Sequence, residues 1–544
     1  MKVLPQSAAV LAALACQHCN CAVASPNPKD DPASLAQACP DYLKYSMVKH
    51  GPYSEGPLKL PFQRPVEACR TFSSPLVEQV IEDVTSRMVD KDLAQLFRNA
   101  FPNTVDTTVR WHVTGIEPRS KTSRQYPQGE NWQGPHSFIV TGDINAEWLR
   151  DSTNQLTQYQ ALATKDPKIK SLILGAINTQ VEFVLQSPYC NAFQPPPPSG
   201  LKPVPPTQKD TVHPAYEKSV VFECKYELDS LANFLALGNK FYAETKSVDF
   251  ISDRWYSAVD TVLRVIQEQS EPTFNEDSQY VRNEYTFIRM TEVGTETLNL
   301  GGIGNPLNNG TGLVRSAFRP SDDATTFGYL IPSNAQMAVE LKRTADTVKA
   351  AGGPHRLVKA LLTRANIIEE GIRKHGVVSH KKFGDVYAFE VDGYGSRILM
   401  DDANLPSLLS LPLLGFVDKN DPIYENTRKM ILSKDGNPYY LTGSAFHGIG
   451  GPHIGVKNAW PMSALVRART SDDDEEITES INMVRNASLL GLIHETVDVN
   501  NLTDYTRSWF AWANSVFAQT ILDLAERKPH LIFGKDAKPY KVGQ

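Results

Sequence analysis

One kind of segment recurs through this chain from about residue 75 onward: a run whose apolar side chains fall three and four positions apart. In "PLVEQVIEDVTSRMVDKDLAQLF", Val77, Val80, Ile81, Val84 and Met88 line one face, the spacing of a helix with a single buried stripe. The same pattern predicts helices over 168–186, 226–243, 252–268, 334–350, 355–375, 474–493 and 506–526, with shorter ones at 151–163, 402–413, 424–433 and 460–469. Strand-like pieces are few and short, "SFIVTGDI" before Asn145 and "YAFEVDGYG" near Tyr387. Roughly a dozen helices follow one another with no linker between two halves and no fixed internal period, which argues against a helical solenoid. They suit an all-α toroid instead, an (α/α)6 barrel with short β-strand insertions in its loops. The proline-rich "QPPPPSGLKPVPP" (194–206) reads as a stiff surface loop, because chemistry-bearing stretches fall on both sides of it.

The N-terminus sets the compartment. "MKVLPQSAAVLAALACQHCNCAVAS" carries one lysine, an apolar core from Ala8 to Ala15 and the small residues Ala22-Val23-Ala24, the pattern of a cleavable leader. Residues 1–24 are therefore expected to be a signal peptide, 25–74 an N-terminal extension and 75–544 the catalytic domain. A signal anchor is the alternative, but the apolar stretch is short for a span. No later stretch is long and apolar enough to cross a membrane, so a mature chain without a span is expected in the secretory lumen or outside the cell. Four cysteines remain after the leader, Cys39, Cys69, Cys190 and Cys224. An even count in an oxidising compartment suggests two disulfides with three possible connectivities, of which Cys39–Cys69 and Cys190–Cys224 each clip one irregular segment. Asn309, Asn486 and Asn501 head sequons compatible with glycosylation there. A net charge of −6 leaves no basic field for nucleic acid, and a monomer is expected.

Four stretches set polar residues into otherwise buried patterns. "TGDINAEWLRDSTNQLTQY" (141–159) places Trp148, Arg150 and Asp151 where a strand turns into a helix. Asp151 reads either as a helix cap or, with Arg150, as a clamp for vicinal hydroxyls. "FRPSDDATTFGYLIPSN" (318–334) puts Asp322 and Asp323 among aromatics with Arg319 beside them, a costly place for a carboxylate pair without a task. "YGSRILMDDANLPSLLSL" (394–411) holds a second pair, Asp401 and Asp402, one of which would cap the helix expected after it. "LLGLIHETVDVNNLTDYTRSWFAWANSVF" (489–517) runs an apolar helix into His494 and Glu495, then continues with Trp509 and Trp512. Such ring faces stack on pyranoses, although aromatic helices more often simply pack.

Other chemistries fall away. Asp498 stands where a zinc-protease helix would need its second histidine, and no G-x-S-x-G elbow is present. "HGIGGPHIG" (447–455) lacks the lysine and preceding strand of a phosphate loop. Separated acids, arginine and aromatics remain, which suits glycoside hydrolysis between two carboxylates.

At these stretches the sequence resembles glycoside hydrolase family 125, the exo-acting α-1,6-mannosidases of bacteria and fungi, as a fungal member. The resemblance runs in order over roughly residues 75 to 530: "GDINAEWLRDS", "KYELDSL", "FRPSDDA", "YLIPSN", "MDDANLPSLLSLP", "GIGGPH", "HETVD" and "RSWFAWANS". It implies an (α/α)6 barrel, an inverting mechanism, no metal or other cofactor, and a mannose-containing oligosaccharide or glycan as partner. It further implies that the acid lies in the Asp322–Asp323 pair, with Asp322 preferred, and that Glu495 is the base. On the same resemblance Trp148, Arg150, Asp151, Arg319, Asp401, Asp402, His453, His494 and Trp512 would bind substrate. The neighbouring carboxylate and burial would keep the acid protonated, the second aspartate staying charged against Arg319. Glu147 and Ala317 depart from the family's usual methionine and glycine, and Glu147 is the residue expected to bear on a subsite. The competing expectations are another (α/α)6 glycosidase acting on α-glucosides, or a carbohydrate-binding protein without catalysis.

Overall fold

The structure is a computed structural model that describes residues 39–115, 132–205 and 208–542; the expected leader lies outside them. Residues from Asp41 onward make one compact unit. Within it, thirteen helices carry the architecture: α1 Pro75–Arg87, α2 Lys91–Ala100, α3 Leu149–Leu156, α4 Pro167–Gln186, α5 Leu228–Thr245, α6 Asp253–Glu268, α7 Ile331–Ala350, α8 His355–Gly371, α9 Leu411–Leu414, α10 Pro422–Ile431, α11 Pro461–Arg469, α12 Asp474–Ala487 and α13 Ala511–Arg527. They alternate between two rings. The inner ring is α3, α5, α7, α9, α11 and α13, with α3 against α5, α5 against α7, α7 against α9, α11 against α13 and α13 back against α3. The outer ring is α2 (with α1 beside it), α4, α6, α8, α10 and α12. This is the (α/α)6 barrel expected from the periodicity.

Burial separates the rings. In α6 and α12 only one stripe is buried, for example Trp255, Ala258, Val259, Val262, Val265 and Ile266. In α5, 13 residues from Leu228 to Phe241 are buried on all sides, as a helix flanked by both rings requires. Capping differs in the same way. Ser74, Asp90, Asp166, Ser252, Asp421 and Asp473 each accept a backbone N–H at the start of an outer helix, each cap contributing about 1 kcal/mol. No inner helix has a side-chain cap. Most inner helices are fed instead by a short strand: β1 Glu147–Trp148 before α3, β3 Val221–Glu223 before α5, β4 Tyr329–Leu330 before α7, β7 Asn458–Ala459 before α11 and β9 Tyr505–Thr506 before α13. These strands pair in three small sheets, with β2 Ala192–Phe193 between β1 and β3, β5 Glu390–Val391 between β4 and β6 Arg397–Ile398, and β8 Thr496–Asp498 between β7 and β9.

Two expected helices are shorter than their periodicity. The segment 402–413 is helical only at α9, since Pro406 removes a backbone donor and Asp401 takes the N–H groups of Leu408 and Leu409. The helix expected to run to 493 stops at Ala487. Gly491 follows at φ +78, where a Cβ would meet the Pro61 carbonyl oxygen at 2.6 Å. The extension from Asp41 is woven into the barrel: Ser46 Oγ lies 2.8 Å from Ser508 Oγ, and Arg64 Nε pairs with Asp106 at 2.7 Å. Cys190 and Cys224 form a disulfide, and Cys39 and Cys69 are also disulfide-bonded. The asparagines of all three sequons are exposed. Among the described residues no helix is long and apolar enough to cross a membrane.

Candidate active site

The chain segments entering the inner helices meet at one end of the barrel, and polar contacts tie each to the next. Arg150, at the start of α3, reaches Glu227 before α5 at 2.5 Å. Ser333, at the start of α7, donates to Asp229 of α5 at 3.4 Å. Ser321, before α7, donates to Asp402, before α9, at 2.6 Å. Ala403 N–H bonds the Gly450 carbonyl before α11 at 3.2 Å. The β7–β8–β9 sheet joins α11 to α13, and Arg507 before α13 donates to Asp143 before α3. The ring of contacts closes.

Asp322 and Asp323 sit on a tight turn in which Asp322 N–H bonds the Arg319 carbonyl at 2.9 Å. Asp322 has φ +68, a left-handed conformation that aspartate tolerates better than most residues. Arg319 does not pair with either aspartate of the turn. Its Nε donates to Glu390 at 2.6 Å, and Glu390 also accepts the N–H groups of Thr326 and Phe327, so a fully buried ion pair anchors the loop from behind. This corrects the expectation that Arg319 answers the charge of the acid pair. The two aspartates face different surroundings. Asp323 is buried, with His453 Nδ1 at 3.6 Å from one oxygen and Ser321 Oγ at 3.4 Å from the other. Asp322 is half-buried. Burial pushes its carboxyl up, but Lys225, Arg150 and the His453 ring outweigh that and hold it below the usual range.

Glu495 stands on the far side, where β8 begins. Arg507 Nε lies 3.1 Å from its Oε1. Arg507 itself has φ +56, and its carbonyl accepts a hydrogen bond from His494 Nδ1 at 2.9 Å. His494 is buried, stacks on Tyr505 at 3.9 Å, and is pushed down to about 4 by burial. It is therefore neutral, and its Nε2 has no hydrogen-bond partner among the described residues. His453 is the opposite case. Burial alone would depress it, yet the bond to Asp323 and the charges of Asp322 and Glu495 raise it to about 9. A protonated imidazole thus stands among three carboxylates.

Other expected site residues fall into place differently. Arg150 is fully buried against Glu227, Asp229 and Asp151, with its guanidinium carbon 5.1 Å from the Trp512 ring centre. It is spent within the protein and is not a free sugar clamp. Asp151 accepts from Thr141 at 2.8 Å and leaves its other oxygen without a hydrogen bond. Trp148 packs on Phe222 at the edge of the main core. Trp509 and Trp512 are 2% and 1% exposed, so neither offers an open face for stacking. Asp401, pushed up to about 8 by burial, is the loop cap described above, while Asp402 reaches the acid turn through Ser321. Glu147, the first residue of β1, is buried and accepts from Ile139 N–H and Ser152 Oγ, which places it in the packing and not in a subsite.

The residues that sequence reasoning missed are Lys225, Glu227 and Asp229 in "KYELDSL" and Asn191 after Cys190. They gather on one side of Asp322, and Asn191 Nδ2 lies 3.2 Å from Glu227 Oε1 and 3.4 Å from Asp322 Oδ1. The available signal was a charge cluster at the start of a largely apolar helix. Among the described residues no group of three or more metal-ligating side chains is arranged to hold a metal ion.

Residues 90–522 match the family described as metal-independent alpha-mannosidase (GH125). The Meiotically up-regulated gene 157 protein of Schizosaccharomyces pombe is 53% identical over 498 residues, covering 91% of this chain and 94% of that protein. Among solved structures, a Streptococcus pneumoniae metal-independent alpha mannosidase, in a non-productive complex with alpha-1,6-mannobiose, superimposes with a TM-score of 0.72. It is 30% identical, covering 83% of this chain and 99% of that one.

Proposed function

Because the chain belongs to glycoside hydrolase family 125, the metal-independent alpha-mannosidases, we propose that it removes single α-1,6-linked mannoses from the non-reducing ends of oligosaccharides or glycans, with inversion. What carries the reading is the placement of two acids. Asp322 precedes α7 and Glu495 precedes α13, and in the order of the inner ring these helices stand opposite each other. Carboxylates projecting from opposite walls leave room for a water beside the sugar, and inverting pairs stand about 6.5–9.5 Å apart where retaining pairs stand about 5–5.5 Å apart.

In this mechanism Asp322 protonates the glycosidic oxygen, and Glu495 takes a proton from the water that attacks the anomeric carbon from the other face. Exposure supports Asp322 over Asp323, which is enclosed by His453 and Ser321. Arg507 orients Glu495, His494 fixes the Arg507 backbone, and the His453 imidazolium offsets the negative charge gathered at the mouth. The α-1,6 preference is supported by the ligand of the Streptococcus pneumoniae protein. No metal takes a step, and the chain works in the secretory lumen or outside the cell, in keeping with its disulfides.

The test is a proton NMR time course on α-1,6-mannobiose beside its α-1,2 and α-1,3 isomers. β-Mannose should appear first, from the α-1,6 isomer fastest, and EDTA should leave the rate unchanged. α-Mannose as first product would make Glu495 a nucleophile and overturn the mechanism. Faster cleavage of another isomer would overturn the linkage alone.

A further inference from the structure

The acid assigned above has surroundings that do not suit an acid acting alone. Lys225, Arg150 and His453 hold Asp322 as a carboxylate, although it must deliver a proton. Against it stands Glu227, 1% exposed and one residue before α5. Asn191 Nδ2 bridges one oxygen of each, at 3.2 Å and 3.4 Å, and its own Oδ1 accepts the Lys225 N–H at 3.1 Å, so both carboxyls are registered on one side chain. The other oxygen of Glu227 takes Arg150 at 2.5 Å and Ser230 Oγ at 2.9 Å. The charged groups facing Glu227 are Arg150 from α3, Asp322 from the acid turn, and Asp229 and Lys225 from its own segment. Burial pushes its carboxyl far up, Arg150 pulls it down, and the charges of Asp322 and Asp229 add to the rise.

We propose that Glu227 is the positioning residue of the reaction's acid: it holds the proton at rest and passes it to Asp322, to which Asn191 ties it, and Asp322 then protonates the glycosidic oxygen. The inference rests on the assignment of Asp322 as acid. In the step, Asp322, a carboxylate at rest, first takes the Glu227 proton. The anomeric C–O bond then breaks with its electron pair going to the leaving oxygen, which takes that proton from Asp322. The water oxygen bonds to the anomeric carbon and its proton goes to Glu495. Glu227 is left as a carboxylate against Arg150, whose guanidinium is already in place to receive that charge. Glu495 then releases its proton to solvent and Glu227 regains one through half-exposed Asp322, so the cycle balances as hydrolysis.

The test compares α-1,6-mannobiose with 2,4-dinitrophenyl α-mannoside, whose leaving group needs no proton. Glu227→Gln keeps a donor toward Asp322 but has no proton to pass. It should lower kcat on mannobiose by about 10²-fold or more, the scale of general acid catalysis, with KM little changed and the dinitrophenyl rate within about threefold of the parent. Equal losses on both substrates would mean a structural role and overturn the proposal. Asp322→Asn in parallel tests the assignment beneath it: if that variant kept its mannobiose rate, the acid would be elsewhere, whatever Glu227→Gln did. Should Glu227→Gln not fold, Glu227→Asp, which keeps the proton but draws it back from Asp322, decides. A mannobiose loss of about tenfold or more with the dinitrophenyl rate held supports the proposal; equal losses on both substrates, or no loss on mannobiose, overturn it.

Discussion

Arg507 holds its guanidinium 3.1 Å from Glu495 while its backbone sits at φ +56, so the residue paired with the proposed base is itself held in a rarely used conformation. Two partners keep it there, Asp143 on the guanidinium and His494 on the carbonyl. Shortening or neutralising this side chain should leave the fold intact and let Glu495 drift.

Arg507→Met should therefore lower kcat on α-1,6-mannobiose by about 10²-fold, the cost of misplacing a reacting group by about 1 Å. KM should move much less, and Arg507→Lys should fall between the two. Steady-state kinetics with a melting curve for each variant check this. An unchanged kcat in Arg507→Met would remove Arg507 from the machinery.

His453 sets an upper pH limit. Its folded value of about 9 stands above the 6.5 of a free imidazole. Its contribution to stability is therefore complete below pH 6.5 and disappears as pH rises through about 9. Deprotonation also strips the cation from between Asp323, Asp322 and Glu495, so turnover should decline over the same upper range. Melting temperatures of the parent and His453→Gln, taken from pH 6 to pH 10, should converge toward the alkaline end. Parallel curves across that range would rule the ion pair out as a source of stability.

Glu147 shifts in the same direction for a different cause, burial in place of a charged partner. Burial raises its carboxyl to about 8 against a free value of 4.5, so the unfolded chain loses this proton first and stability falls between those values. A shift of that size corresponds to about 5 kcal/mol once pH passes the folded value, and to about 3 kcal/mol at pH 7, by the linkage conversion. Glu147→Gln retains an acceptor for Ile139 N–H and can donate to Ser152. It should melt several degrees higher than the parent at pH 8, match it near pH 4, and leave the ranking of mannobiose isomers alone. A changed linkage ranking would return Glu147 to a subsite.

At Gly491 two demands coincide, a positive φ and a backbone 2.6 Å from where a Cβ would lie. Gly491→Ala should destabilise by about 2 kcal/mol or more, since strain and a clash with the Pro61 carbonyl add. Chemical denaturation measures it. A variant as stable as the parent would show that the extension around Pro61 can move aside.

What the sequence disclosed follows from which interactions are local. The stripes of α1, α6 and α12 are written at three-four spacing, so the barrel was readable from side-chain order alone. The 402–413 segment misled because its apolar residues keep helical spacing while Pro406 lacks a donor and Asp401 takes the N–H groups of Leu408 and Leu409. Trp512 misled for a different reason, since an aromatic on an all-apolar helix has no periodic sign telling lumen from core. Partner choice was the least legible. Arg319 stands three residues from Asp322 yet pairs with Glu390, 71 positions away. Glu227, one residue ahead of α5, has the sequence appearance of an ordinary helix-start acid, and only the closed ring brings it to Asp322.

The Cys190–Cys224 bond lies immediately beside this assembly. Each cysteine is followed by a member of it, Asn191 after the first and Lys225 after the second, and those two residues bond one another across the link. Neither half of the acid cluster is anchored by a helix at that point. Reducing the bond would leave the β2–β3 pairing and the Asn191–Lys225 hydrogen bond as the ties between those two stretches, so the disulfide is a brace on the spacing of the cluster and not on the helical rings.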